Sequence, residues 1–256
     1  MPSTQARTVP SPAHCGGAPR RSRYGVWRGS RHGPRRGSIT GRRRSGAVPT
    51  PPPGLSRRLF AAIRLGGGDT IYAPFAPIRE VYFPLTGCAS IVAATADGAL
   101  VEVGTVGREG LVGLAAFHGA DGGPLETIAQ VPGDFLRLPV AVLRDAAAPG
   151  STLYTLLHRF SQALYTLAAQ SAACNRLHPV EERCARWLLL THEFLGYMLG
   201  VRRPSVTLAL GTLQAAGLIA YRRGEVAVLD RPGLEDAACE CYALITAEYA
   251  RLLGDH

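Results

Sequence analysis

The residues best placed to do chemistry are basic and hydroxylated, and they cluster late in the 256-residue chain. Arg202, Arg203, Ser205, Thr207 and Leu208 fall within one short span, and Arg222 and Arg223 follow on a tight turn. A guanidinium carries paired donors that match the O6 and N7 acceptors of guanine or the oxygens of a phosphate. Hydroxyls add single hydrogen bonds to phosphate, and Thr207 can also meet a thymine methyl. Helical spacing from Arg203 places Pro204, Thr207, Leu208 and Gly211 on its face, with Arg203 the one strong base reader among them. A surface salt bridge is the plainer role for Arg203.

These side chains need a scaffold, and Thr191–Ile219 supplies a pattern for one. Thr191 can cap a short helix whose inward positions are Phe194, Leu195, Met198 and Leu199, with Gly200 ending it. After Val201-Arg202-Arg203, Pro204 opens a second helix, where a missing N–H costs nothing. Val206, Ala209, Leu210 and Leu213 form its apolar face and Gly217 closes it. The spacing predicts a helix-turn-helix, with an ordinary helical hairpin as the alternative. Leu218–Tyr221 and Val226–Leu229 then flank Arg222-Arg223-Gly224-Glu225, which reads as a β-hairpin.

The order helix, turn, helix, hairpin carries a resemblance. His178–Asp230, through HPVEERCARWLLL, EFLGYMLGVRRPSV and LQAAGLIAYRRGEVAVLDRPGLE, resembles the DNA-binding domain of the Crp/Fnr family of bacterial transcription regulators. The resemblance implies a winged helix-turn-helix over residues 178–256 with a C-terminal helix, and arginines of the wing on phosphate. Two departures stand out. The family's turn and short strand between RWLLL and EFL are missing, so the helices are expected to fuse or kink at Thr191-His192. The family's second arginine and glutamate on the recognition helix are here Leu208 and Pro204, which implies thinner base readout.

Upstream, short β-branched and aromatic runs are separated by turns: Val81–Phe83, Ser90–Val92, Leu100–Val103, Thr127–Ala129 and Phe135–Leu138. Asp97-Gly98 is a hairpin signal. The spacing predicts a sandwich or barrel, and the resemblance implies a cyclic-nucleotide-binding type of β-roll, jelly-roll-like, within residues 55–148. It starts late, with only Leu55–Leu65 standing in for the usual first helix and strand. Ser151–Asn175 carries Leu153, Leu157, Phe160, Leu164, Leu167, Ser171 and Cys174 at alternating spacings of four and three. That is a coiled-coil seam, or one helix packed on its own roll. The family places its dimerisation helix here, and residues 149–177 are assigned to it. The fold class is therefore α+β.

The resemblance also frames an effector site. Gly107, Arg108, Glu109 and Gly110 look like the first half of the family's cyclic-AMP cassette. Where an Arg-Ser pair should clamp the phosphate stand Gly123-Pro124 and then Leu125-Glu126, which supply no phosphate donor. Cyclic AMP is not expected, no cofactor is expected, and the effector is unidentified.

Catalysis is not expected. His178 with Glu181 and Glu182 reads as a helix start, with Pro179 at its first position and acids in the positive first turn. His192-Glu193 has no third member, and no phosphate loop appears. Cys15, Cys88, Cys174, Cys184, Cys239 and Cys241 make no pair of zinc-type CxxC motifs, so no metal is expected. On a single helix over Gly233–Leu253, Cys239 and Cys241 would face apart and serve as packing; Cys174 on the seam could cross-link two chains.

The charge of +9 belongs to the first 54 residues, which hold 11 of the 28 arginines and no acid. The remaining 17 arginines face 19 acids, so the pI of 9.7 says little about the folded part. Such an Arg-, Gly- and Pro-rich segment is expected to be disordered. It suits sequence-blind contact with DNA backbone, a transit peptide, or sequence upstream of the natural start. No run approaches a membrane span, and a cytoplasmic location is expected. The partners implied are double-stranded DNA, a second copy of the chain and RNA polymerase. A rival reading is a β-roll dimer whose DNA-binding domain has decayed, acting as an effector-binding or scaffold protein.

Overall fold

The β-branched segments form strands by alternating which side chains they bury. The computed structural model describes residues 56, 59–95, 100–192, 204–222 and 225–254. β1 (Ala61–Leu65), β7 (Gly133–Pro139) and β3 (Glu80–Pro84) form one antiparallel sheet in the order β1-β7-β3. β2 (Thr70–Tyr72), β6 (Glu126–Val131), β4 (Cys88–Ala94) and β5 (Leu100–Val106) form a second, in the order β2-β6-β4-β5. β6 is regular, with Thr127, Ala129 and Val131 buried between less covered neighbours, as period-two side-chain geometry requires. All five expected strands are present. β1 and β2, which lack a strong pattern, complete the sheets by pairing with β7 and β6. The Asp97-Gly98 turn lies outside the described residues, while Ala94 pairs with Leu100 on either side of it.

Two short helices, α1 (Leu114–Phe117) and α2 (Val140–Ala146), lead to the long α3 (Thr152–Leu177). Ser151 starts α3 by accepting the Tyr154 N–H at 3.0 Å, and His178-Pro179 follow its end. The expected seam is covered within the chain. Leu153, Leu157 and Phe160 are buried in the roll's core with Val81, Ala89, Val106, Leu111 and Leu138. Leu164 packs half-buried against that core, and Leu167 and Cys174 are buried further along. This corrects the assignment of these six positions to a coiled-coil seam. A four-three pattern records an apolar stripe and not what covers it; here the roll covers Leu153, Leu157, Phe160 and Leu164, and Cys239 and Cys241 cover Cys174.

The C-terminal part has its own core. α4 (Val180–His192) and α5 (Pro204–Ala215) contribute Ala185, Leu188, Leu189, Ala209, Leu210 and Leu213. β8 (Ile219–Arg222) and β9 (Glu225–Val228) add Ile219 and Val226, and α6 (Arg231–Asp236) adds Leu234. α7 (Cys241–Leu253) turns back along α3, and its Tyr249 and Leu253 pack against the roll core.

The helix-breaking role assigned to Thr191 does not hold. α4 continues through Trp187–Leu190 to His192, and the Thr191 hydroxyl donates back to the Trp187 carbonyl at 2.8 Å. Thr191 is thus helical and buried, next to the last described residue of α4, with its hydroxyl turned back into that helix and not forward as a cap. The expected first helix of the pair, with Phe194, Leu195, Met198, Leu199 and Gly200, lies outside the described residues, as does the tail of 54.

Candidate nucleic-acid interface

α5 begins at Pro204 and is closed by Gly217 at φ +76, as the sequence implies. The Leu218 N–H returns to the Leu213 carbonyl at 3.1 Å, and the Gly217 N–H to the Gln214 carbonyl at 3.0 Å. Those bonds satisfy the last turn's carbonyls and aim the chain into β8. The buried side of α5 is Ala209, Leu210 and Leu213 against α4; the opposite side is open. There Thr207, Gly211 and Thr212 are exposed, and Leu208 is 70% exposed. A Cβ built on Gly211 would meet nothing within 4 Å. The helix therefore presents a small-residue face to the outside.

β8 and β9 pair from Ile219↔Val228 to Arg222↔Glu225. Gln214 of α5 fixes the hairpin's base by accepting the Tyr221 N–H at 2.6 Å. Asp230 closes the far side by accepting the Gly233 N–H at 3.1 Å, and a Cβ on Gly233 would lie 2.5 Å from that carboxylate. Of the expected contacts, Thr207 and Leu208 sit on the open face of α5. Ser205 is in its first turn, and Arg222 is the last residue of β8. Arg202, Arg203 and Arg223 lie outside the described residues.

The expected effector residues form a tight turn after β5. The Gly110 N–H donates to the Gly107 carbonyl at 3.1 Å, and Glu109 folds back to accept the Gly107 N–H at 2.8 Å. Arg108 is exposed. A Cβ on Gly110 would fall 2.2 Å from Phe160, so this glycine lets α3 close on the roll. α7 reaches the same turn: burial, then the charges of Glu109 and Cys88, hold the Tyr249 phenol above its ordinary value. Nothing in the cassette motif signals that the C-terminal helix arrives there.

Two further groupings escaped the sequence reading. Trp187 of α4 donates its indole N–H to Glu102 of β5 at 2.7 Å, and Ser90 hydrogen-bonds the other carboxylate oxygen. Cys174, His178, Cys239 and Cys241 place their ligating atoms within 4.8 Å of one another. The expectation that Cys239 and Cys241 face apart fails because they share no helix. α6 ends at Asp236, Cys239 lies in the following turn, and Cys241 is the first residue of α7. The Cys-x-Cys spacing, with a histidine four residues after Cys174, was the available signal.

Residues 158–237 match the Crp-like helix-turn-helix domain family. That segment spans most of α3, then α4, α5, the hairpin and α6, so the winged part of the chain is a Crp-like helix-turn-helix domain. Its fold is similar to FixK2 from Bradyrhizobium japonicum, at 17% identity and a TM-score of 0.59, covering 70% of this chain and 98% of that one. It is also similar to a CRP-family transcriptional regulator from Thermus thermophilus, at 21% identity and a TM-score of 0.55, covering 69% and 96%. The c-di-GMP-responsive regulator CLP of Xanthomonas campestris gives 16% identity and a TM-score of 0.51, covering 67% and 94%. A comparison with curated proteins gives no significant match. Among the described residues no helix is long and apolar enough to cross a membrane.

Proposed function

We propose that this chain is a cytoplasmic, sequence-specific regulator of transcription of Crp/Fnr type that binds double-stranded DNA as a dimer. The observation that carries the reading is the two-sided α5, packed on α4 and the wing by Ala209, Leu210 and Leu213 while Thr207, Leu208 and Gly211 stay exposed. In this reading α5 enters the major groove, with Arg203 just before it bidentate to guanine. Arg202, Ser205, Arg222 and Arg223 hold phosphates, Thr207 and Leu208 meet base edges, and RNA polymerase is the partner acted upon.

Because the roll and α7 cover the apolar stripe of α3, the second copy is assigned to the helix's other side. His158, Gln162, Tyr165, Ala169 and Ala172 recur there at spacings of four and three, and Tyr165 is 69% exposed. The roll is proposed not to take cyclic AMP. Gly123-Pro124 offers no phosphate clamp, and the space beside Gly110 is filled by Phe160.

Selection of duplexes from a random library by the full chain, washed at raised salt to suppress sequence-blind binding by the tail, tests the proposal. A palindromic motif, absent when Arg203→Ala is used, is the expected result. A folded dimer that enriches no motif contradicts it and favours a decayed DNA-binding domain on a β-roll scaffold.

A further inference from the structure

Three cysteines and a histidine from two distant parts of the chain converge below the winged domain. Cys174 and His178 lie four residues apart at the end of α3, a spacing that brings both to one helix face. Cys239 and Cys241 flank the start of α7. The Cys174 and Cys239 sulfurs are 3.4 Å apart, and Cys241 Sγ is 3.7 Å from His178 Nδ1. The three cysteines are 0%, 5% and 2% exposed and form a small cluster of their own, separate from the two larger cores.

We infer that Cys174, His178, Cys239 and Cys241 bind a single divalent ion of the zinc class. At Zn–S of about 2.3 Å and Zn–N of about 2.0–2.1 Å, tetrahedral ligand atoms lie roughly 3.5–3.8 Å from one another. The 3.7 Å separation falls in that range, the 3.4 Å pair of sulfurs is a few tenths of an ångström closer, and none of the others exceeds 4.8 Å. A multi-iron cluster spreads its ligands over several metals and needs a wider cage. Three sulfurs and one imidazole nitrogen are also the soft donor set that selects zinc among common divalent ions.

The surroundings fit the same ion. With Nδ1 toward the thiols, His178 turns Nε2 to Glu240 Oε1 at 3.2 Å, the carboxylate–histidine arrangement that fixes a metal-ligating imidazole. Gln170 Oε1 lies 3.7 Å from Cys241 Sγ. Three thiolates and a neutral imidazole around a divalent ion carry a net charge of minus one. Arg186, 6% exposed and hydrogen-bonded to Ser171, supplies a nearby compensating cation. A Cys174–Cys239 disulfide would employ two of the four groups and leave Cys241 and His178 without a reason to converge. The ion would clasp the end of α3 to the start of α7 across the winged domain between them.

The test uses the full chain, tag removed, purified without chelator. Elemental analysis is expected to give one zinc per chain. The chelator-stripped protein titrated with Co²⁺ is expected to develop the visible bands of tetrahedral cobalt thiolate at one equivalent. Cys239→Ser should abolish both readouts, while Cys184→Ser, a buried thiol outside the cluster, should keep them. Glu240→Gln should weaken Co²⁺ binding by roughly 10–100-fold. The cobalt spectrum of the unmutated chain keeps the test valid if a variant fails to fold. A chain that carries no metal and takes up no Co²⁺ overturns the inference. So does an iron–sulfur absorption spectrum, or a Cys174–Cys239 disulfide in unreduced peptide digests.

Discussion

Trp187 of α4 and Glu102 of β5 are joined by a 2.7 Å hydrogen bond that ties the winged domain to the roll. The indole N–H has one donor to give and gives it to a carboxylate already held by Ser90. Removing the donor by Trp187→Phe leaves that carboxylate with less compensation, at an expected cost of about 1–3 kcal/mol. Urea unfolding measures it, and an unchanged midpoint would show that the bond contributes nothing.

The same carboxylate gives a pH dependence. Burial raises the Glu102 carboxyl above its usual range, against the hydrogen bonds of Ser90 and Trp187 and the charge of Arg186, which lower it. A group that holds its proton more tightly in the fold contributes fully below its unfolded value of about 4.3, and that contribution is lost as pH rises through the folded value. Glu102→Gln keeps the shape without the titration. The stability of the wild-type chain should therefore fall relative to Glu102→Gln as pH rises from about 4.3 through the higher folded value, followed by thermal unfolding in matched buffers. A constant gap across that range would remove Glu102 from the account.

The roll's turn is held to be steric at Gly110. Gly110→Ala would place a methyl 2.2 Å from Phe160, so it should destabilise the chain by about 1–3 kcal/mol. Pairing it with Phe160→Leu should recover part of the loss. Full stability of the single variant would return Gly110 to the effector contacts.

The two sides of α3 should separate by experiment. Leu157→Ala removes a side chain 4% exposed within the roll core and should cost about 2–5 kcal/mol of fold stability. Tyr165→Arg changes an exposed position, so the expected outcome is an intact fold with weakened self-association in analytical ultracentrifugation. Dissociation by Leu157→Ala with no loss of stability would restore the original seam.

Much of this was legible in the residues. Ser151 and Pro179 bracket α3, Pro204 and Gly217 bracket α5, and β-branched runs mark five roll strands, because caps and period-two burial act locally. The wing was legible from Ile219–Val228 for the same reason. What covers an apolar stripe is a tertiary fact, so Leu153, Leu157 and Phe160 looked like a dimer seam until the roll was in place. The Cys/His cluster was hidden by extending one helix through Cys239, where the chain in fact turns. Thr191 misled because a good cap residue can equally return its hydroxyl to the helix it sits in.

Gly211 bears on the interface. Glycine inside a helix costs up to about 1 kcal/mol relative to alanine, and a Cβ there meets nothing. Gly211→Ala should raise thermal stability by that order. A fall in stability would mean that this face of α5 is covered.

The most direct test of the central claim is equilibrium binding of the full chain to a selected palindromic duplex and to its scrambled counterpart at raised salt. The account predicts a preference of at least about 10³ for the palindrome, with Arg203→Ala giving up about 1–3 kcal/mol of it. Equal affinity for the two duplexes, unchanged by Arg203→Ala, would contradict it.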